Sequence, residues 1–361
     1  MHFPTDYTSI QQRIAQVNPT RYAATRNYLD GAVSYLSPYI SRGVISTNMV
    51  KEIVLKKYGL AASEKFVQEL AWREYWQRVW QHLGNKILED IKRPQPNVLH
   101  TKNLQNLLIH QTGITAIDES IAELYDTGYM HNHMRMYTSS LACNFGRAHW
   151  LAPSQWLYYH LLDGDVASNS LSWQWVAGSF SSKQYIFDQA NLNKYSGMVQ
   201  RNSFLQDAYE NFEGMEVPQS LADTTEEKLV TKLPSHLKPV IDPALPLLIY
   251  NSYQLDPMWR KEEKANRVLL LEPSHFDKYP VSQKVLDFII ALAANIDGIS
   301  IFTGEVGELT QGIAPTNIYS KSHPAFTHYP GQRDSYEWMY PTASSYYPSF
   351  SAFWRACQKQ R

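Results

Sequence analysis

The chain is poor in cysteine, and that shortage already excludes some chemistry. Its two cysteines, Cys143 and Cys357, stand far apart in unlike sequence. They support no disulfide framework, and a four-thiolate iron–sulfur cluster cannot be built from two. Excess charge is missing as well: 33 Lys and Arg against 34 Asp and Glu give a formal net charge of -1. No global basic field announces nucleic acid, so a DNA-binding reading must rest on a local basic face. Long hydrophobic runs are also absent. The longest, Val285 to Ala294, is broken by Asp287 and is too short to span a bilayer. The opening MHFPTDYTSI has neither the basic nor the apolar region of a signal peptide. A soluble, cytoplasmic protein is expected, monomeric and without a membrane partner.

What is present is aromatic. Of 361 residues 44% are hydrophobic and 19% charged, while aromatics reach 13%, with 10 Trp and 24 Tyr. This length is enough for two domains with a large core. The aromatics fit either an aromatic-rich core and surface or a set of stacking surfaces and an electron path. Composition does not choose between these.

Residues 1–212 read as helix after helix. Ser63–Gly84, Thr115–Tyr125 and Tyr129–Phe145 carry helical periodicity, punctuated by Gly59, Gly113 and Gly128. Residues 213–246 read as a linker of charged, small polar and proline residues, with one short helix near Thr224–Lys232. Residues 247–361 turn to an α/β pattern. Leu247–Tyr250, Val268–Leu271 and Ile299–Phe302 read as buried strands and Ser282–Ala294 as a helix, which together suggest a small parallel sheet. From Pro315 the chain reads as irregular, with a closing helix near Phe350–Gln358.

Three segments carry candidate chemistry. In Glu69-Leu-Ala-Trp-Arg-Glu-Tyr-Trp76, helical geometry puts Glu69, Trp72, Arg73 and Trp76 along one face. An amphipathic helix whose arginine lies beside aromatics gives the same pattern. In Tyr129-Met-His-Asn-His-Met-Arg-Met136, His131 and His133 diverge at i,i+2 and there is no HExxH motif, so a metal site is not expected. Asn132 and Arg135 are read as projecting into a pocket. In Leu162-Asp-Gly-Asp-Val-Ala-Ser-Asn169 the acids are too few for an EF-hand. A buried Asp163 needs a partner, and Arg135 is the natural one. Trp173 and Trp175 follow and cannot share one helical face.

In this order WREYW, MHNHMRM, DGDVASN and WQW resemble the FAD-binding domain of DNA photolyases and cryptochromes, over roughly residues 20 to 195. The resemblance implies a mainly α protein, with an all-helical FAD-binding domain followed by a small α/β domain. It implies FAD contacts from Tyr22, Ser34, Leu36, Ser37, Arg73, Arg135, Asp163, Asp165 and Asn169. Asn169 would face flavin N5, where an amide can donate or accept. The stretch Val33–Pro38 is similar to the family's phosphate loop, with Val33 for Thr and Tyr35 for Arg. Those changes leave anchoring to Ser34, Ser37 and Arg73. Ordinary helix capping is the plain reading of the two serines alone. Arg26 would point toward DNA, and Glu69, Trp72, Asn132, Met136 and Trp175 match the residues lining the lesion pocket of cyclobutane-dimer enzymes. Two aromatic faces, a carboxyl and an amide suit a flipped pyrimidine pair.

Trp173 and Trp150 match the inner members of the family's electron-transfer chain, with simple core packing as the even alternative for Trp150. The third member falls near Leu107, which is not aromatic. Ser181–Asp188 is shorter than the family's loop and lacks its Phe-Asn-Pro turn. The near-neutral charge, altered phosphate loop and shortened loop suit a blue-light sensor signalling through a partner. The pocket residues suit a light-driven lyase acting on pyrimidine-dimer DNA, and that reading is preferred. A light-independent flavin oxidoreductase is disfavoured because no nicotinamide fingerprint is present. Before Tyr22 there is no room for the α/β antenna domain with which members usually begin. A reduced antenna-type domain after the flavin domain, its chromophore unknown, and an unrelated α/β appendage are the two even readings of residues 247–361.

Overall fold

The computed structural model describes residues 2–206 and 215–359. The chain forms two compact units interleaved along the sequence. The first takes residues 20–33 and 83–229, the second 2–19, 34–82 and 230–361. A linear partition into 1–212, 213–246 and 247–361 cuts the chain differently, since residues 34–82 join the unit that carries the α/β region. Its boundary at 212/213 lies outside the described residues.

The first unit is helical. Ile117, Ile121 and Leu124 of the helix Thr115–Thr127 and Met130, Met134 and Tyr137 of the next stretch pack with Trp156 and Trp173 in one continuous core. The periodicity of Tyr129–Phe145 resolves into a helix Asn132–Ser140 and a π turn Leu141–Phe145. Gly128 ends the preceding helix with φ 74°, and a Cβ there would come 2.6 Å from Leu162 Cγ. Its carbonyl accepts from the Leu162 amide at 2.8 Å. This close approach lays the start of Asn132–Ser140 beside the loop 161–165. The short helix expected near Thr224–Lys232 does not form. Instead β2 (Thr224–Thr225) pairs antiparallel with β1 (Asn103–Leu104), and β-branched side chains favour such a pairing.

In the second unit the helix Thr47–Leu83 is interrupted at Gly59, whose φ of 74° and ψ of 171° are non-helical. Past that point it has no glycine or proline and buries Ser63, Phe66, Val67, Ala71, Glu74 and Tyr75 at i,i+3 and i,i+4 spacing. Its distal end sets Trp80 edge-on against Tyr279 and His323, with ring centroids 6.3 and 5.2 Å away. This contact is one of several that group 34–82 with the α/β region.

Five parallel strands form the sheet: β3 (Leu247–Tyr250), β4 (Asn266–Leu271), β5 (Ile299–Thr303), β6 (Ile318–Lys321) and β7 (Gln332–Asp334), in the order β5-β4-β3-β6-β7. The region after Pro315, expected to be irregular, therefore contributes two strands. β7 is short and polar, as suits an edge. Strand order reverses between β3 and β6, where a crevice opens at the carboxyl ends of a parallel sheet. Here Tyr253 stacks on His323 with centroids 4.5 Å apart, and the Arg42 guanidinium lies 5.6 Å from the Tyr253 ring. Gly43 allows that approach, since a Cβ there would lie 2.3 Å from the Tyr253 carbonyl oxygen. Among the described residues no helix is long and apolar enough to cross a membrane.

Candidate functional site

In the first unit the three segments assemble around a charge pair. Arg135 Nη2 donates to Asp163 Oδ2 at 2.9 Å, and Arg135 Nε donates to the Met130 carbonyl at 2.8 Å. The Asp163 side chain is 4% exposed and that of Arg135 21%, so the acid is enclosed while the guanidinium keeps an accessible edge. Arg135 lies in the first turn of its helix, where a cation opposes the helix dipole. The carboxylate offsets that conflict. The Arg135 guanidinium also lies 5.4 Å from the Tyr129 ring.

Two residues on, Asp165 is buried and caps the helix Val166–Ala177, its Oδ1 accepting from the Ser168 amide at 2.7 Å. An acid at this position satisfies an orphan amide and suits the dipole. Asn169, half-buried in the first turn of that helix, donates from Nδ2 to the Ser154 carbonyl at 2.8 Å. The bond orients the amide. Neither the Met130 nor the Ser154 carbonyl carries a side-chain signal, so sequence reading had no means of finding them.

The histidines have structural work. His131 Nδ1 accepts from the His133 amide at 3.2 Å and so caps Asn132–Ser140. His133 stacks on Tyr195 with centroids 4.7 Å apart. Burial pushes both imidazoles down to about 4, helped by each neighbour's positive charge: His133 and Arg135 for His131, Arg26 for His133. Asn132 is exposed and Met136, one turn later, half-buried. The Trp175 indole is 36% exposed, the Trp173 indole 1%. The expectation that these two tryptophans point to different environments is met. Trp150 is fully enclosed, its Nε1 donating to Asp90 Oδ1 at 2.8 Å. Leu107 is likewise buried in the core. Tyr22 and Arg26 are half-buried in and just after the helix Pro19–Thr25, and Arg26 Nη1 donates to the Ala23 carbonyl at 3.0 Å.

The second unit holds the other candidates. Ser34 and Ser37 are half-buried and Leu36 buried. Leu36, rather than a serine, occupies the cap position of the five-residue helix Ser37–Ser41 and makes no side-chain cap bond. Ordinary capping therefore does not account for Ser37. Tyr35 has φ 52°, a left-handed conformation that costs a non-glycine residue about 1–2 kcal/mol. Arg73 Nη1 donates to Ser41 Oγ at 3.0 Å, and Glu69 pairs with Lys65 at 2.8 Å. Trp72 does not present an open face on every side. Phe350 stacks on it with centroids 3.7 Å apart and planes 10° from parallel.

Residues 66–209 match the family model of the FAD binding domain of DNA photolyase. The chain is 31% identical over 151 residues to the deoxyribodipyrimidine photo-lyase of Streptomyces griseus, covering 41% of this chain and 32% of that protein. It is 31% identical over 162 residues to the deoxyribodipyrimidine photo-lyase of Thermus thermophilus, covering 44% and 38%. The matched stretch thus spans about a third of those relatives' length. Among solved structures, a Synechocystis cryptochrome aligns with TM-score 0.49 and 24% identity, covering 54% of this chain and 44% of that one. An archaeal photolyase from Sulfolobus tokodaii with two FAD molecules aligns with TM-score 0.48 and 20% identity, covering 61% and 53%. FAD is the cofactor of the matched domain. Over residues 66–209 the chain is thus similar to the photolyase/cryptochrome family.

Proposed function

We propose that this chain is a light-driven, FAD-dependent lyase that splits cyclobutane pyrimidine dimers in DNA. The observation that carries the reading is the enclosed Arg135–Asp163 pair, flanked by Asn169 held against Ser154. A guanidinium anchored on one side by a carboxylate and a backbone carbonyl keeps an edge accessible for donation to a ring carbonyl or nitrogen, which fits a flavin. Asp163 fixes that guanidinium, Asp165 sets the start of the Asn169 helix, and Asn169 offers an oriented amide to a ring nitrogen. Tyr22 is assigned to the phosphate side in the first unit. In the second unit Ser34, Leu36, Ser37 and Arg73 are the phosphate-loop candidates.

Bound FAD would supply the light-excited electron, and the protein would supply position and electrostatics. For the substrate, Trp175 offers an exposed indole face, and Asn132 and Met136 offer an amide and a soft apolar contact one helical turn apart. Glu69, Trp72 and Arg26 are the further candidates for contact with DNA. Residues 247–361 are read as a reduced antenna-type domain. The fully parallel sheet supports this.

One observation favours the other reading, a blue-light sensor signalling through a partner: a Trp72 face is already covered by Phe350. The deciding experiment gives the purified protein a reductant, blue light and an oligonucleotide with one thymine dimer, and follows recovery of thymine absorbance. Recovery in light and none in the dark is the outcome expected of a lyase. No recovery by a protein whose FAD photoreduces would transfer the assignment to the sensor.

A further inference from the structure

We propose that Phe350, on the helix Phe350–Gln358, is a built-in competitor for the ring face of Trp72, and that this helix must shift before a base can stack there. The proposal rests on the reading above that Trp72 stacks a pyrimidine.

The geometry resembles that of a base bound on an aromatic platform. Aromatic side chains in cores favour edge-on and offset arrangements, with centroids up to about 7 Å apart. Trp72 and Phe350 lie nearly parallel at 3.7 Å, the arrangement an aromatic platform makes with a nucleobase. By contrast, Tyr75 meets Phe350 edge-on at 6.0 Å. Within its own helix Phe350 is nearly parallel to Trp354 at 6.1 Å. Phe350 is the first residue of that helix, directly after the cap Ser349, whose side chain accepts from the Ala352 amide. A ring at a helix end is displaced by local fraying, without melting the whole element.

The segment leading to this helix is strapped along Thr47–Leu83. Glu74 accepts from the Met339 and Tyr340 amides at 2.7 and 3.1 Å. The Arg78 guanidinium lies 3.5 Å from the Trp338 ring, and Tyr75 Oη donates to the Tyr347 carbonyl at 3.1 Å. These bonds keep Phe350 tethered when it leaves Trp72, so its effective concentration stays high and the competition is intramolecular. The apparent affinity for a base is then lowered by the fraction of molecules with the face covered.

The test measures dark binding of a short oligonucleotide with one thymine dimer by fluorescence anisotropy. It uses the parent, Phe350→Leu and Phe350→Ala, each with and without Trp72→Ala. Phe350→Leu keeps most of the apolar volume while removing the ring stack, and thermal melts verify that each variant is folded. Hydrogen exchange of Phe350–Gln358 in the parent is followed with and without the oligonucleotide. The expected result is binding tighter by roughly threefold to tenfold in Phe350→Leu, the equivalent of one lost aromatic stack. That gain should vanish in the Trp72→Ala background, and DNA should speed exchange in Phe350–Gln358. Equal binding by parent and Phe350 variants, with Trp72→Ala weakening both, overturns the competitor and leaves the stacking role of Trp72 standing. Binding unmoved by Trp72→Ala in every background removes the stacking role, and the competitor with it.

Discussion

Arg135 and Asp163 are 28 residues apart in sequence and 2.9 Å apart in space. The pair sits at the N-terminal turn of Asn132–Ser140, and Gly128 makes it possible by letting Leu162 pack where a Cβ would stand. Asp163→Ala leaves the guanidinium without its carboxylate at a helix end that already opposes a cation. Removing one partner of a largely buried pair is expected to cost about 3 kcal/mol. The variant should also retain less FAD through purification, measured as flavin absorbance per protein. Full flavin occupancy in a folded Asp163→Ala protein would count against the pair's role.

Glu74 gives a separate prediction in the second unit. Its carboxylate is buried, and burial raises its pKa even though the Met339 and Tyr340 amides and Arg78 favour the charged form. Glu74→Ala strands two buried amides, at about 1–3 kcal/mol each. Denaturant unfolding should show the loss, and limited proteolysis should find new cleavage between Asp334 and Ser349. Unchanged stability and cleavage would mean that the strap is held elsewhere.

What could be read from sequence follows the range of the signal. The run Leu247–Tyr250 is apolar at every position and is a central strand buried throughout. The closing helix Phe350–Gln358 is likewise legible, because Phe350, Phe353, Trp354 and Cys357 share one face. Strands β6 and β7 were not legible: Ile318-Tyr-Ser-Lys321 and Gln332-Arg-Asp334 are too short and polar to show a period, and only pairing with β3 and β6 makes them strands. Thr224–Thr225 was misread for the same reason, since its partner lies about 120 residues away. At the site, residue types marked Arg135, Asp163 and Asn169. The stack of Phe350 on Trp72 depends on a contact across most of the chain, and no local pattern encodes it.

Trp150 separates two roles that its burial alone does not. Its indole is fully enclosed and donates to Asp90. Trp150→Phe keeps an aromatic ring but removes the hydrogen bond and the easily oxidised indole. Loss of the bond to Asp90 is expected to cost about 1–3 kcal/mol. If Trp150 carries electrons toward the flavin, light-driven flavin reduction should slow markedly in the folded variant while dark FAD content stays the same. Unaltered photoreduction would leave Trp150 as a packing residue.

The last prediction concerns acid. His131 and His133 are held down to about 4 from an ordinary 6.5, chiefly by burial. A histidine with a depressed folded pKa stays neutral in the fold while the unfolded chain takes up a proton. Stability from this source is therefore complete above about pH 6.5 and falls as pH drops toward 4. His131 adds a structural loss, because Nδ1 must be unprotonated to accept from the His133 amide. The melting temperature should therefore drop between about pH 6.5 and pH 4. His133→Phe keeps a ring to stack on Tyr195 and removes one titrating group, so its melting temperature should fall less steeply over the same window. A slope identical to that of the parent would show that His133 is not one of the groups taking up protons on unfolding.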